Sequence, residues 1–278
     1  MSAQPPYQQW LEGACEAAQQ TGALILDLYQ QQQFETFTKA DASPVTSADY
    51  AANQMLQEQL KQLTPTIPVL SEETAPKSFA ERKNWQRYWL IDPIDGTQEF
   101  VAGSGDFAVV IALVEANTPQ LGVIYWPTEQ RLYYAGRGMG AWRLVGDQQQ
   151  ALQVRKMSKP SGEPIRVAIS RRQPLERILT RMNDAREFAF VRTGSCALKA
   201  CLVAEGSADC FLRVGPTGEW DTAAAEVIVG EAGGQILSEQ FVPLTYNEKA
   251  DLGNPNFLVL GDPAVAWQSV FIEHQQRA

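Results

Sequence analysis

Tyr88-Trp89-Leu90-Ile91-Asp92-Pro93-Ile94-Asp95-Gly96-Thr97 sets two carboxylates three residues apart on a turn that follows an apolar strand. Carboxylates crowded on a sharp loop do not stay ionised together unless a cation neutralises them, and hard cations such as Mg²⁺ take several oxygen ligands. Gly96 lets the backbone pass close to a ligand, and the amides of Gly96 and Thr97 are placed to donate to an anion held by the same metal. Asp, Pro and Gly are also ordinary turn residues, so the stretch alone leaves a plain surface turn open.

Two further acidic elements weigh against that plain reading. The apolar run Ile67-Pro68-Val69-Leu70 ends in Ser71-Glu72-Glu73, which puts a carboxylate at a strand end. Trp220-Asp221-Thr222-Ala223-Ala224-Ala225 opens a helical segment with an acid at its start, although an isolated Trp-Asp pair would serve equally as a helix N-cap.

Taken in this order, the glutamate pair, D-P-I-D-G-T and W-D-x-A-A resemble the lithium-sensitive, Mg²⁺-dependent inositol monophosphatase superfamily. The similarity runs from Thr46-Ser47-Ala48-Asp49 to the region of Gly261. Gly215-Pro216-Thr217-Gly218-Glu219-Trp220-Asp221-Thr222-Ala223-Ala224 is similar to the 3′(2′),5′-bisphosphate nucleotidase branch rather than the inositol branch. So are Ser195-Cys196-Ala197-Leu198-Lys199, Phe211-Leu212-Arg213 and Asn254-Pro255-Asn256-Phe257.

Composition narrows the function classes. At 278 residues, 45% hydrophobic and 20% charged, the chain has the mixture of a soluble globular protein of one large domain or two closely packed lobes. The apolar run Phe107 to Val114 is too short to cross a bilayer, and the glutamine-rich beginning lacks the pattern of a signal peptide, so a cytoplasmic protein without a membrane partner is expected. A net charge of −9 disfavours nucleic-acid binding. It also makes an anionic substrate hard to attract unless bound metals assist. Cys15, Cys196, Cys201 and Cys210 show no C-x-x-C spacing, so buried reduced thiols are expected rather than a zinc or redox site. The single histidine, His274, sits near the chain end and reads as a solvated residue of a terminal helix. Ser-His-Asp, Cys-His and phosphohistidine chemistry all need a positioned histidine, and are set aside.

Along the chain, helical periodicity runs from Trp10 to Tyr29, and again behind Ser47 as cap through Leu63. Val109–Val114, Leu121–Trp126, Arg131–Ala135 and Ala141–Val145 read as an antiparallel meander. The polar stretch from Gln148 to Gly162 marks a lobe boundary, giving an N-terminal α+β lobe over 1–155 and a C-terminal α/β lobe over 156–278. The second lobe reads as a strand at Ile165–Ser170, a helix at Leu175–Met182, a strand at Ala189–Arg192, a helix at Leu198–Ala204 and a strand at Asp209–Val214. A helix at Thr222–Ala232, strands at Gln235–Leu237 and Asn256–Leu260, and a helix after Pro263 follow. Gly136, Gly138 and Gly140 precede an expected strand, whereas a dinucleotide-binding loop must open a helix.

The resemblance implies a layered αβαβα sandwich of the inositol monophosphatase and fructose-1,6-bisphosphatase type, with two or three Mg²⁺ ions and inhibition by Li⁺. It implies that Glu72, Asp92 and the Ile94 carbonyl bind one ion, and that Asp92, Asp95 and Asp221 bind another. Thr97, hydrogen-bonded to Asp49, would help orient and deprotonate the attacking water, while phosphate oxygens meet the Gly96 and Thr97 amides. Ser195, Lys199, Arg213 and Asp221 are the implied substrate contacts. The expected substrate is a small phosphate ester, adenosine 3′,5′-bisphosphate or its sulfated precursor, cleared as a by-product of sulfate assimilation. An inositol-1-phosphate or broader sugar phosphatase, and a non-catalytic metal and nucleotide sensor, are the alternatives. In that branch Ser170-Arg171-Arg172-Gln173 falls where serine-arginine-serine-histidine is common, so a base contact from that position is altered or lost. Cys196 stands where serine is common.

Overall fold

The computed structural model describes residues 6–39, 43–75, 77–157 and 163–271. In chain order the elements are α1 (Tyr7–Gln31), β1 (Thr36–Thr38), β2 (Pro44–Thr46), α2 (Ser47–Leu63), β3 (Val69–Ser71), α3 (Phe79–Arg82), β4 (Arg87–Asp95), α4 (Thr97–Val101), β5 (Ala108–Glu115), β6 (Thr118–Trp126), β7 (Arg131–Gly136), β8 (Ala141–Val145) and β9 (Gln148–Ala151). There follow β10 (Ile165–Ile169), α5 (Glu176–Leu179), β11 (Phe188–Arg192), α6 (Cys196–Ala204), β12 (Cys210–Arg213), α7 (Ala223–Glu231), β13 (Gln235–Ser238) and β14 (Phe257–Leu260).

Strand alternation builds the layers. Side chains on a strand point to opposite faces in turn, so a strand that is apolar at every position must be covered on both sides. In β4, Trp89 and Ile91 face a core shared with α1 and α2, and in β5 so do Val109, Ile111 and Leu113. Tyr88, Leu90, Val110, Ala112 and Val114 face the other way, onto α6 and α7. Those two helices are themselves sandwiched, because Phe211, Phe257 and Val259 of the second sheet join the same core. Cys210, Leu212, Leu258 and Leu260 turn to an outer core with Ile178 of α5, Trp267 and Phe271. The order is therefore helix, sheet, helix, sheet, helix.

The first sheet runs β3-β4-β5-β6-β7-β8-β9, antiparallel except for the parallel β3·β4 pair. The second runs β11-β10-β12-β14-β13, parallel at β11·β10·β12 and antiparallel beyond. Gly122 in β6 marks where α7 crosses, since a Cβ there would collide with the carbonyl of Ala224. β1 and β2 form a separate hairpin over the start of α2.

Several expectations need correcting. The cap of α2 is Thr46, not Ser47: Thr46 accepts from the Asp49 amide while Asp49 accepts from the Thr46 amide at 2.7 Å, a reciprocal capping box. Part of the supposed polar connection, Gln148–Ala151, is an edge strand whose side chains face water. Residues 158–162 lie outside the described residues. The helix expected over Leu175–Met182 is the single turn α5, because Pro174 and the bridge Met182·Phe271 bound it. After Pro263 there is a 3₁₀ turn at Trp267–Ser269, and His274 lies outside the described residues. Finally, Asp92 and Asp95 sit at the end of β4 across a shift in its register with β5, not on a free turn.

Arg82 ties α3 to the loop at 247–250. It is 1% exposed, and its Nη1 donates to Asn247 Oδ1 at 2.5 Å while Nη2 donates to the carbonyls of Lys249 at 3.0 Å and of Ala250. Asn247 returns a bond to the Arg82 carbonyl at 2.7 Å. Arg82→Met keeps the aliphatic bulk and strands these acceptors, so urea denaturation should show a loss of about 1.5–3 kcal/mol, the range for hydrogen bonds to a charged group.

Candidate active site at the junction of the two sheets

The bulged end of β4, the loop behind β3, the start of α6 and the turn before α7 converge on one cleft of about 520 Å³. Glu72, Asp92, Ile94, Asp95, Gly96, Thr97, Ser195, Lys199, Arg213 and Asp221 all line it. Asp49 lies behind Thr97. The sequence-derived residues, separated by as much as 172 positions (from Asp49 to Asp221), therefore meet in one place.

Asp92, Asp95 and Asp221 present carboxylate oxygens that lie within 4.8 Å of one another. Each is aimed by one oxygen. Asp92 Oδ1 accepts from the Ile94 amide at 3.0 Å, Asp95 Oδ2 from the Ala197 amide at 2.6 Å and the Ser195 hydroxyl, and Asp221 Oδ2 from the Gly218 amide at 2.6 Å. The other oxygen of each takes no hydrogen bond among the described residues. Burial, followed by the charges of Glu72, Asp95 and Asp221, pushes the Asp92 carboxyl well above the usual range. Burial, Asp95 and Glu72 do the same to Asp221. Three hard oxygen donors that repel one another when no cation is between them fit a divalent ion such as Mg²⁺.

Asp221 is not the cap of the following helix, since Thr222 holds that position. Its 3₁₀ turn, Glu219–Asp221, is tied to the loop at Leu252–Asn254 by Glu219 N to Leu252 O at 2.8 Å and Asn254 Nδ2 to Gly218 O at 2.5 Å. Glu219 is fully buried and accepts from the Asn247 amide at 2.8 Å, which makes it a support for this turn.

Gly96, at φ +99°, is the hinge between β4 and α4. A Cβ there would stand 2.9 Å from the Asp106 carbonyl, so both the conformation and the space demand glycine. Behind it the Thr97 hydroxyl lies 3.2 Å from Asp49 Oδ1 and 3.2 Å from the Ile94 carbonyl. Asp49 is fully buried, and its carboxyl is raised by burial against the opposing hydrogen bonds from Thr46 and Thr97. A carboxylate of raised pKa beside a hydroxyl is suited to take a proton.

The cations are arranged less simply than the sequence implies. Lys199 is 2% exposed, and its ammonium donates to the carbonyls of Gly194, at 3.2 Å, and Ser195 while lying 5.0 Å from the Phe211 ring centroid. Burial lowers its pKa. It thus braces the corner at Ser195, a non-glycine residue at φ +51° whose hydroxyl fixes Asp95. Arg213 is less committed: Nη2 reaches the Pro216 carbonyl at 2.9 Å and Nε is buried with no partner.

Lys39 was not foreseen. Its ammonium lies 2.8 Å from Glu72 and 2.7 Å from Glu73, so a divalent ion at Glu72 must share or displace it. Glu73 is nearly enclosed, and burial pushes it up to about 7 despite Lys39. A lone lysine in a polar stretch carries no sequence signal for such a role. Glu99 and Asp106 were missed for the same reason; they pair with Arg172 at 3.0 Å and with Arg171, and Asp106 also accepts from the Gly194 amide at 2.6 Å. Of the four cysteines, three are buried and Cys15 is half-buried, and all are free. No helix of the described residues is long and apolar enough to cross a membrane.

Comparison with known proteins agrees with this arrangement. Residues 7–259 match the model of the inositol monophosphatase family. The chain is 43% identical over 257 residues to the 3′(2′),5′-bisphosphate nucleotidase CysQ of Haemophilus influenzae, covering 91% of this chain and 93% of that protein. It is 41% identical to the protein of the same name from Salmonella typhimurium, covering 90% and 98%. Among solved structures, CysQ from Bacteroides thetaiotaomicron superposes with a TM-score of 0.77 at 33% identity, over 90% of this chain and 96% of that one. An IMPase from Thermotoga maritima superposes at 0.72 and 26% identity, over 90% and 91%.

Proposed function

The chain belongs to the inositol monophosphatase family, and from its similarity to the CysQ nucleotidases within that family we infer that it is a 3′(2′),5′-bisphosphate nucleotidase, a phosphoric monoester hydrolase that removes the 3′-phosphate of adenosine 3′,5′-bisphosphate to leave AMP. The observation that carries the chemistry is the convergence of Asp92, Asp95 and Asp221 beside Thr97 and Asp49 in one cleft.

Glu72, Asp92 and the Ile94 carbonyl would hold one Mg²⁺, and Asp92, Asp95 and Asp221 a second, with Li⁺ competing for the set. Bound ions of this kind stabilise the charge that develops on the attacking and departing oxygens of a phosphate ester. Asp49 Oδ1 holds the Thr97 hydroxyl so that Thr97 Oγ1 can orient the attacking water and receive its proton as the Thr97 proton passes to Asp49. The amides of Gly96 and Thr97, which have no intrahelical acceptors at the start of α4, would face the phosphate oxygens. The Ser195 hydroxyl donates to Asp95 and the Lys199 ammonium to the Ser195 carbonyl, so both also hold the carboxylate set in place.

Arg213 is the cation with donors to spare for the phosphate that the reaction leaves in place. Loss of one charge-assisted contact costs about 1.5–3 kcal/mol. Arg213→Ala should therefore lower kcat/KM for adenosine 3′,5′-bisphosphate by roughly ten- to a hundredfold and barely alter inositol 1-phosphate hydrolysis. Equal loss on both substrates would contradict this assignment. Phosphate release from adenosine 3′,5′-bisphosphate, inositol 1-phosphate and fructose 1,6-bisphosphate, compared side by side with Mg²⁺, tests the function as a whole. A preference for either of the last two would replace the nucleotidase reading by the sugar-phosphatase one.

A further inference from the structure

Among the described residues three cations line the cleft, and each is held differently. Lys199 is enclosed and spent on backbone carbonyls, and Arg213 is fastened by Nη2. Arg172 is 48% exposed and is fixed along one edge: Nε donates to Glu99 Oε1 at 3.0 Å and Nη2 to the Gln98 carbonyl at 3.3 Å. The Nε and Nη2 edge is the one with which arginine forks an incoming phosphate or carboxylate. Here the protein has already filled that edge, and Glu99 offsets the charge. What such a guanidinium still offers is Nη1, beside the offsetting charge of Glu99, and its flat face, a delocalised plane that stacks well on aromatic systems.

The cleft has little other aromatic surface to offer a base. Its one aromatic side chain among the described lining residues is Trp220. Gly218 lies so close against the Trp220 indole that a Cβ would collide with the ring, and the indole also packs onto the central core. Gln173, the neighbour of Arg172, does not line the cleft, and its Nε2 is buried without a partner.

We propose that Arg172 is a specificity-determining residue whose guanidinium face, held in place by Glu99 and Gln98, is the platform on which the purine base of the substrate stacks. This role rests on the nucleotidase reading and assigns the base to a residue whose side chain bonds to Glu99 and Gln98 and to none of the proposed metal ligands.

Adenosine 3′,5′-bisphosphate and ribose 3,5-bisphosphate share both phosphates and differ in the base, so together they isolate the stack. Steady-state kinetics with Mg²⁺ should be measured for the wild type, Arg172→Ala and Arg172→Lys. Both variants should raise KM for the adenosine substrate roughly tenfold, with kcat within about twofold and the ribose substrate unaffected. Arg172→Lys is decisive because it keeps the charge and loses the plane. Titration calorimetry should show the same pattern, with AMP bound more weakly by the variants and ribose 5-phosphate bound equally by all three proteins. Wild-type KM in Arg172→Lys would mean that a point charge suffices and would overturn the proposal. Equal losses on both substrates would overturn it in favour of a simple bridge between the 98–99 and 170–172 segments. A wild type that releases no phosphate from the adenosine substrate would remove the nucleotidase reading itself, an outcome distinct from failure of the Arg172 role.

Discussion

Asp92→Asn should lower kcat at saturating Mg²⁺ by at least roughly 10³-fold, about 4 kcal/mol of transition-state stabilisation, while the fold stays intact. The substitution is nearly isosteric at a position 2% exposed. The asparagine oxygen can still accept from the Ile94 amide in place of Asp92 Oδ1, which leaves the amide group turned toward Asp95 and Asp221. A neutral donor in that place neither shares charge with two ions nor coordinates them. The same change removes a buried carboxyl that is raised first by burial and then by the charges of Glu72, Asp95 and Asp221, so the metal-free protein should melt no lower than wild type. Mg²⁺ should then raise the wild-type melting temperature, because it binds the folded state, and have little effect on the variant. A loss of activity below tenfold, or an undiminished thermal response to Mg²⁺, would overturn the metal assignment.

Why the aspartates could be read from sequence while their supports could not is a matter of chain distance. Asp92, Asp95 and Gly96 fall within five consecutive residues, and Gly96 is required by its own φ of +99°. The same locality made the meander legible: every position from Ala108 to Val114 is buried, as a strand covered on both faces must be. Where two local solutions compete, the text is ambiguous. Thr46 and Ser47 are both good caps, and what selects Thr46 is the reciprocal bond from Asp49 three residues on. Supports formed across the chain leave no pattern at all. Arg82 meets Asn247 from 165 positions away, and Lys39 meets Glu72 from 33. Lys199 shows a further limit. Its type suggests a phosphate contact, but only the packing of α6 reveals that its ammonium is turned onto the Gly194 and Ser195 carbonyls.

Thr97→Ala and Asp49→Asn should each cost roughly 10²-fold or more in kcat, the scale of a lost proton acceptor, and the double variant should cost no more than the worse single one. The geometry makes this a test of one unit. Asp49 Oδ1 touches the Thr97 hydroxyl at 3.2 Å, while Oδ2 caps α2 by accepting from the Thr46 amide at 2.7 Å and the Thr46 hydroxyl at 2.6 Å. An asparagine whose oxygen takes the place of Oδ2 keeps the cap and offers Thr97 a donor where it needs an acceptor. Stability should therefore fall by less than the roughly 1 kcal/mol of a lost cap, whereas Asp49→Ala should lose that cap as well as the activity. Affinity for Mg²⁺ should be nearly unchanged in all of these variants, since neither residue belongs to the carboxylate set. That separates them from Asp92→Asn, where binding and turnover fall together. Losses that multiply in the double variant would show Thr97 and Asp49 acting independently, and the water-orienting role would then belong to Thr97 without its carboxylate.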